Sequence, residues 1–100
     1  MLDWLTGRKR VPGPFRMSID DAFRLADKVV VVGVVAAGEV RPGDRLVLQT
    51  GVTERPVTVE VMESYHRPIR AARAGVRVGI LLTGATKEQV GPGATLASVE

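Results

Sequence analysis

Val29-Val30-Val31-Val32-Gly33-Val34-Val35 is an almost unbroken run of β-branched side chains, and its reading decides the fold. Branching at Cβ restricts χ1 and suits a pleated strand better than a helix. The run carries no polar alternation, so it predicts a strand that is buried on both faces or wrapped into a closed barrel. Gly33 inside it marks a bulge or a close backbone approach. The segment is expected to be the central strand of the fold. With Ala36 and Ala37 it extends to the longest apolar stretch of the chain, still too short to cross a bilayer as a helix.

Outward from this run, Gly and Pro punctuate the sequence. Arg41-Pro42-Gly43-Asp44 places Pro and Gly at the middle of a tight turn, where Pro presets φ and Gly accepts the positive φ of a type II turn. Apolar alternation then predicts strands at Arg45–Gln49, at Val57–Met62 and at Val76–Leu82. A loop is expected over Thr50–Pro56. A first strand is expected at about Phe15–Ile19 and a last one at Ala94–Val99, after Gly91-Pro92-Gly93. Six or so strands with turns every eight to twelve residues indicate an all-β sandwich or barrel. Helix signals are confined to single turns, at Asp20-Asp21-Ala22-Phe23 and at Lys87-Glu88-Gln89-Val90.

A chain of 100 residues is one ordinary domain with one core. Its 45% hydrophobic content includes only 4% aromatic residues, so the core must be aliphatic. Cysteine is absent, which excludes disulfides, thiolate metal sites and cysteine nucleophiles. The order of charges and apolar residues at the N-terminus is not that of a secretory signal, and a cytoplasmic location without membrane insertion is expected. Residues 1–14 read as a flexible lead-in and 15–100 as the folded domain. Leu2, Trp4 and Leu5 offer an apolar patch that either docks on the domain, stays disordered or meets a partner. The net charge is +3, and eleven of the fourteen basic residues are arginine. From Glu63 to Arg77, Arg67, Arg70, Arg73 and Arg77 stand against one acid, a local surplus equal to that of the whole chain. Such a cluster attracts phosphates or an acidic protein surface, and it also solubilises a small barrel.

The inventory for catalysis is short. None of Lys9, Lys28 and Lys87 precedes Ser or Thr, so the phosphate-cradling Gly-x-x-x-x-Gly-Lys-Ser/Thr loop is missing. The sequence contains no asparagine, which excludes the Asn-Lys-x-Asp pattern that reads guanine. No nucleotide binding by this chain alone is expected. His66 is the sole histidine, and no Gly-x-Ser-x-Gly elbow accompanies it. One histidine and scattered carboxylates offer no spaced metal ligands. Asp20-Asp21 is the only adjacent acidic pair, and on a strand its side chains point to opposite faces. No enzyme activity, cofactor or metal is expected.

Five blocks in collinear order carry a resemblance. They are Phe15-x-Met17-x-Ile19-Asp20-Asp21-x-Phe23, the Val29–Gly33 run, Gly38-x-Val40-x-x-Gly43-Asp44-x-Leu46, Arg73-Ala74-Gly75-x-x-Val78-Gly79-x-Leu81-Leu82-x-Gly84 and Gly93-x-x-Leu96-Ala97. Over residues 15–99 the chain resembles the second domain of elongation factor Tu and related translational GTPases, without their GTPase domain. The resemblance implies a six-stranded Greek-key closed β-barrel of the translation-protein type. It also implies contacts with the aminoacylated 3′ end of tRNA and with the ribosome. On that basis Glu63 corresponds to the glutamate near the terminal adenosine, and His66 to the basic contact after it. Arg73-Ala74-Gly75 keeps the family's turn. Arg77 stands where the family reads the aminoacyl group with an asparagine, which removes the amide's paired acceptor and donor. Leu25-Ala26-Asp27-Lys28 replaces a Gly-Arg-Gly turn. Tyr65 offers an aromatic face that either stacks on a base or closes the barrel end.

The expected function is therefore a non-catalytic binding module that engages RNA, either tRNA or the ribosome, or a translation-related ribonucleoprotein. Its expected contact residues are Glu63, Tyr65, His66, Arg67, Arg70, Arg73 and Arg77. The alternative is a protein-interaction or structural module that binds a separate GTPase or pairs with itself.

Overall fold

The computed structural model describes residues 9–99. The expected role of Leu2, Trp4 and Leu5 lies outside the described residues. Ten strands follow in chain order: β1 (Arg16–Ser18), β2 (Asp21–Leu25), β3 (Lys28–Ala37), β4 (Glu39–Val40), β5 (Arg45–Thr50), β6 (Thr53–Ser64), β7 (Arg67–Ile69), β8 (Ala72–Arg73), β9 (Arg77–Thr83) and β10 (Thr95–Ser98). A single 3-10 turn, Lys87–Gln89, lies between β9 and β10.

Six of these strands close on themselves. The antiparallel neighbours run β1-β10-β5-β6-β9-β3, and β3 pairs back to β1. Closure leaves the barrel itself no open edge. These six are the strands that the apolar patterns predict, each within a few residues. β3 is the long central staple that serves both ends of this circuit, its first half paired with β9 and its last residues with β1. Inward-facing Met17, Val29, Val31, Leu46, Leu48, Val59, Met62, Ile80, Leu82 and Leu96 are buried and fill the interior. The aliphatic core follows from a period-2 pattern in which one face of each strand is apolar.

Gly33 is the close approach its position predicts. A Cβ there would run into the Ser18 carbonyl oxygen and press on Met17 Cγ, so β1 crosses directly over the inner face of β3. The Arg41–Asp44 turn also forms as expected. Gly43 has φ +92, and the Asp44 amide donates to the Arg41 carbonyl at 3.1 Å.

Two expectations fail. The Asp20–Phe23 segment is not a helical turn: Asp21–Leu25 forms β2, which pairs in register with Lys28–Val32 through a two-residue hairpin at Ala26-Asp27. Cross-strand pairing with an already extended β3 outweighs a capping signal that has only one turn of sequence behind it. The Thr50–Pro56 loop is likewise reduced to Gly51-Val52, because β6 begins at Thr53 and pairs with β5 from the first residue after the turn. The short strands β4, β7 and β8 have no signal of their own. β4 and β8 form a separate two-stranded ribbon, and β7 folds back on the end of β6.

Candidate nucleic-acid interface

β6 outruns the barrel and returns as β7. The hairpin that joins them has a two-residue loop, Tyr65-His66, bracketed by the Ser64–Arg67 pair. Both loop residues have positive φ, 53° for Tyr65 and 66° for His66, as a type I′ turn demands. That turn ordinarily uses Asn-Gly, since a side chain with a Cβ is strained there. Ala26 in the β2–β3 hairpin shares this conformation, with φ 57°. The Tyr65-His66 turn pushes an 82% exposed Tyr65 ring out beside Glu63. The Ser64 hydroxyl donates to the Arg77 carbonyl at 2.7 Å and ties the hairpin to the start of β9.

A groove of about 290 Å³ lies between this hairpin and β9. Glu63, Tyr65, His66 and Arg77 line it, with Phe23 and Val32 across from them. Its floor is Gly79, where an added Cβ would sit 3.8–3.9 Å from Glu63, Val30 and Val32, in ordinary contact. The Arg77 guanidinium stands 3.3 Å from the Asp20 carboxylate, both of them half exposed.

Beside the groove runs a feature that the sequence reading missed. Phe23 faces Val30, Val30 faces Leu81, and Leu81 faces Val61, so one residue from each of β2, β3, β9 and β6 forms a row across the sheet. Their sequence neighbours Val29, Val31, Ile80 and Leu82 point inward and are buried, so the row lies on the outer face. Phe23 is 50% and Val61 53% exposed. An apolar stripe on a barrel's outside is the informative exception to ordinary burial. The signal for it was present: all-Val β3 has too many apolar residues for a strand with one buried face.

Three predicted contacts lie outside the groove. Arg67 sits on β7 and Arg70 just beyond it, both exposed and without an ion-pair partner among the described residues. Arg73 belongs to a different centre. Its Nε donates to Glu39 Oε1 at 3.2 Å, Arg41 Nε donates to Glu39 Oε2, and the Val11 amide donates to Oε1 at 3.0 Å. Glu39 is only 3% exposed. Burial pushes its carboxyl up, but the Val11 amide and the two arginines outweigh that and hold it below its ordinary value. Among the described residues no group of acidic or histidine side chains is placed to hold a metal. No helix among them is long and apolar enough to cross a membrane.

A closed six-stranded antiparallel barrel with an outward groove at one hairpin defines a β-barrel of the translation-protein class. Residues 28–97 match the family described as Elongation factor Tu domain 2, and the chain belongs to that family. It is similar to the selenocysteine-specific elongation factor of Escherichia coli (strain K12), with 40% identity over 81 residues, 79% of this chain and 13% of that protein. The translation elongation factor SelB from Methanococcus maripaludis superposes in two crystal structures. Its apo form gives a TM-score of 0.80 at 28% identity, over 88% of this chain and 19% of that one. Its complex with the GTP analogue GppNHp gives 0.81 at 27% identity, over 90% of this chain and 20% of that one. The chain thus spans about a fifth or less of the length of these relatives.

Proposed function

We propose that this barrel is the non-catalytic RNA-binding module of a translation factor, acting in the cytoplasm, and that its groove receives the single-stranded 3′ end of a tRNA. The observation that carries the reading is convergence: Glu63, Tyr65, His66 and Arg77 share one groove, next to the outer apolar row from Phe23 to Val61. Single-stranded RNA is recognised by stacking of splayed bases and hydrogen bonds to their edges. Tyr65 and the apolar row supply faces for stacking, and Glu63 supplies an acceptor for a base amine or a ribose hydroxyl. Arg77, with Arg67 and Arg70 on the hairpin's return side, supplies attraction for phosphates. The ribosome is the second proposed contact, through the same basic hairpin.

Titration with tRNA and with ribosomes across a salt series tests the reading. Engagement of three arginines by phosphates gives a slope of log affinity against log salt of about −2. Replacing Gly79 by Ala narrows the groove floor with a Cβ in ordinary contact with Glu63, Val30 and Val32, so the fold is kept and tRNA affinity falls about threefold. Absence of binding at low salt, or binding indifferent to salt, contradicts the reading. A second reading, a module that docks on a partner protein, is favoured by the exposure of Phe23 and Leu25 on the same face. Capture of proteins alone after nuclease treatment supports that alternative.

A further inference from the structure

The N-terminal side of the barrel carries a built contact that RNA binding does not use. Arg10 donates two hydrogen bonds to Asp44, Nη1 to Oδ2 at 2.8 Å and Nη2 to Oδ1 at 3.0 Å, the parallel fork that makes arginine pairs directional. One residue on, the Val11 amide donates to the buried Glu39 carboxylate. Asp44 is itself fixed, because Oδ2 also accepts from the Arg41 amide at 2.9 Å. Glu39 is fixed by Arg41 and Arg73. The two carboxylates are therefore a preformed socket rather than mobile surface acids.

The other end of the segment is pinned as firmly. Phe15 is buried, and its amide donates to Ser98 Oγ at 2.7 Å. A Cβ on Gly38, which has φ +72, would meet the Pro14 carbonyl oxygen at 2.6 Å and Phe15 Cα at 2.7 Å, so the chain presses on bare backbone there. Between the two anchors stand Pro12 and Pro14, each with φ locked. The segment is thus held at both ends, with Gly13 at φ +97° between the two prolines.

We propose that residues 10–14 are a strap latched onto the barrel through the Glu39–Asp44 carboxylate socket, so that this segment stays on the barrel in solution instead of moving freely. Glu39 takes part in both contacts, accepting from the Val11 amide of the strap and from Arg73 of β8. The latch stands independently of what the groove binds.

Limited proteolysis of the 100-residue chain by trypsin, followed by mass spectrometry, tests the latch. Cleavage of the Arg10–Val11 bond requires Arg10 to leave Asp44 and enter the protease. At early times that bond is expected to be cut at least about fivefold more slowly than the same bond in a synthetic peptide of residues 5–15. Arg10→Lys keeps a trypsin site and the charge but loses the fork, and Asp44→Asn removes the partner. Each should raise the rate at residue 10 about fivefold while cleavage of the Arg24–Leu25 bond in β2 stays unchanged. Exchange of the Val11 amide, followed by NMR, supplies a reading that does not depend on protease specificity: it is slow in the wild type and fast in Glu39→Ala. Cleavage after Arg10 in the wild type as fast as in the peptide, or a fast Val11 amide there, overturns the proposal.

Discussion

Gly33 and Glu39 show what a single residue can decide. A methyl at Gly33 has no space, because β1 backbone occupies it, so Gly33→Ala forces β1 from β3 and is expected to cost about 3 kcal/mol or more, read as a shift of the urea midpoint. Gly33 was legible in the sequence, since a lone glycine in a valine run has few other reasons to be there. Glu39 was not. Its partners Val11 and Arg73 lie 28 and 34 residues away, and only folding brings them to one carboxylate. Glu39→Ala leaves a buried amide without its acceptor while the arginines reach water, a loss of about 1–3 kcal/mol. Because the folded carboxyl titrates below its ordinary value of about 4.5, its contribution is complete above that pH and fades as the pH falls through the folded value. Wild-type stability should therefore drop more steeply with acid below about pH 4.5 than that of Glu39→Ala, as thermal melts across pH will show.

At the scale of elements, the six barrel strands were legible because alternation writes a buried face into each of them. β2, β4, β7 and β8 were not, since none of them buries an apolar face at alternate positions and their conformation is imposed by a neighbour. The β6–β7 hairpin is the clearest case: nothing in Ser64-Tyr65-His66-Arg67 announces a type I′ turn, because the residues that favour one are absent. That choice makes the hairpin a test of strain against function. Replacing Tyr65-His66 with Asn-Gly should raise stability by roughly 1–2 kcal/mol, as relief of two strained residues predicts, and at the same time weaken RNA binding through loss of the exposed ring. A double variant that gains no stability would show that the turn is held without strain.

For the whole molecule, closure turns a set of weak local signals into a rigid platform. The barrel interior is spoken for by aliphatic packing, so recognition must use the outside, and the outer row Phe23, Val30, Leu81 and Val61 beside Glu63 and Tyr65 is where polarity and apolar surface meet. The resemblance over residues 15–99 anticipated the barrel. It did not anticipate which of the arginines share a groove with Glu63, because strand register, not sequence spacing, decides that. Arg73 and Arg77 are four residues apart and face different centres, one the Glu39 socket and the other the groove. The most direct measurement is an amide chemical-shift map of the chain titrated with a short RNA that ends in an unpaired adenosine. Shifts concentrated at Phe23, Glu63 to His66 and Arg77 to Leu81 are predicted, with a midpoint at about threefold higher RNA concentration in Gly79→Ala. Shifts confined to the opposite wall of β1, β10 and β5, or none at low salt, would contradict the account.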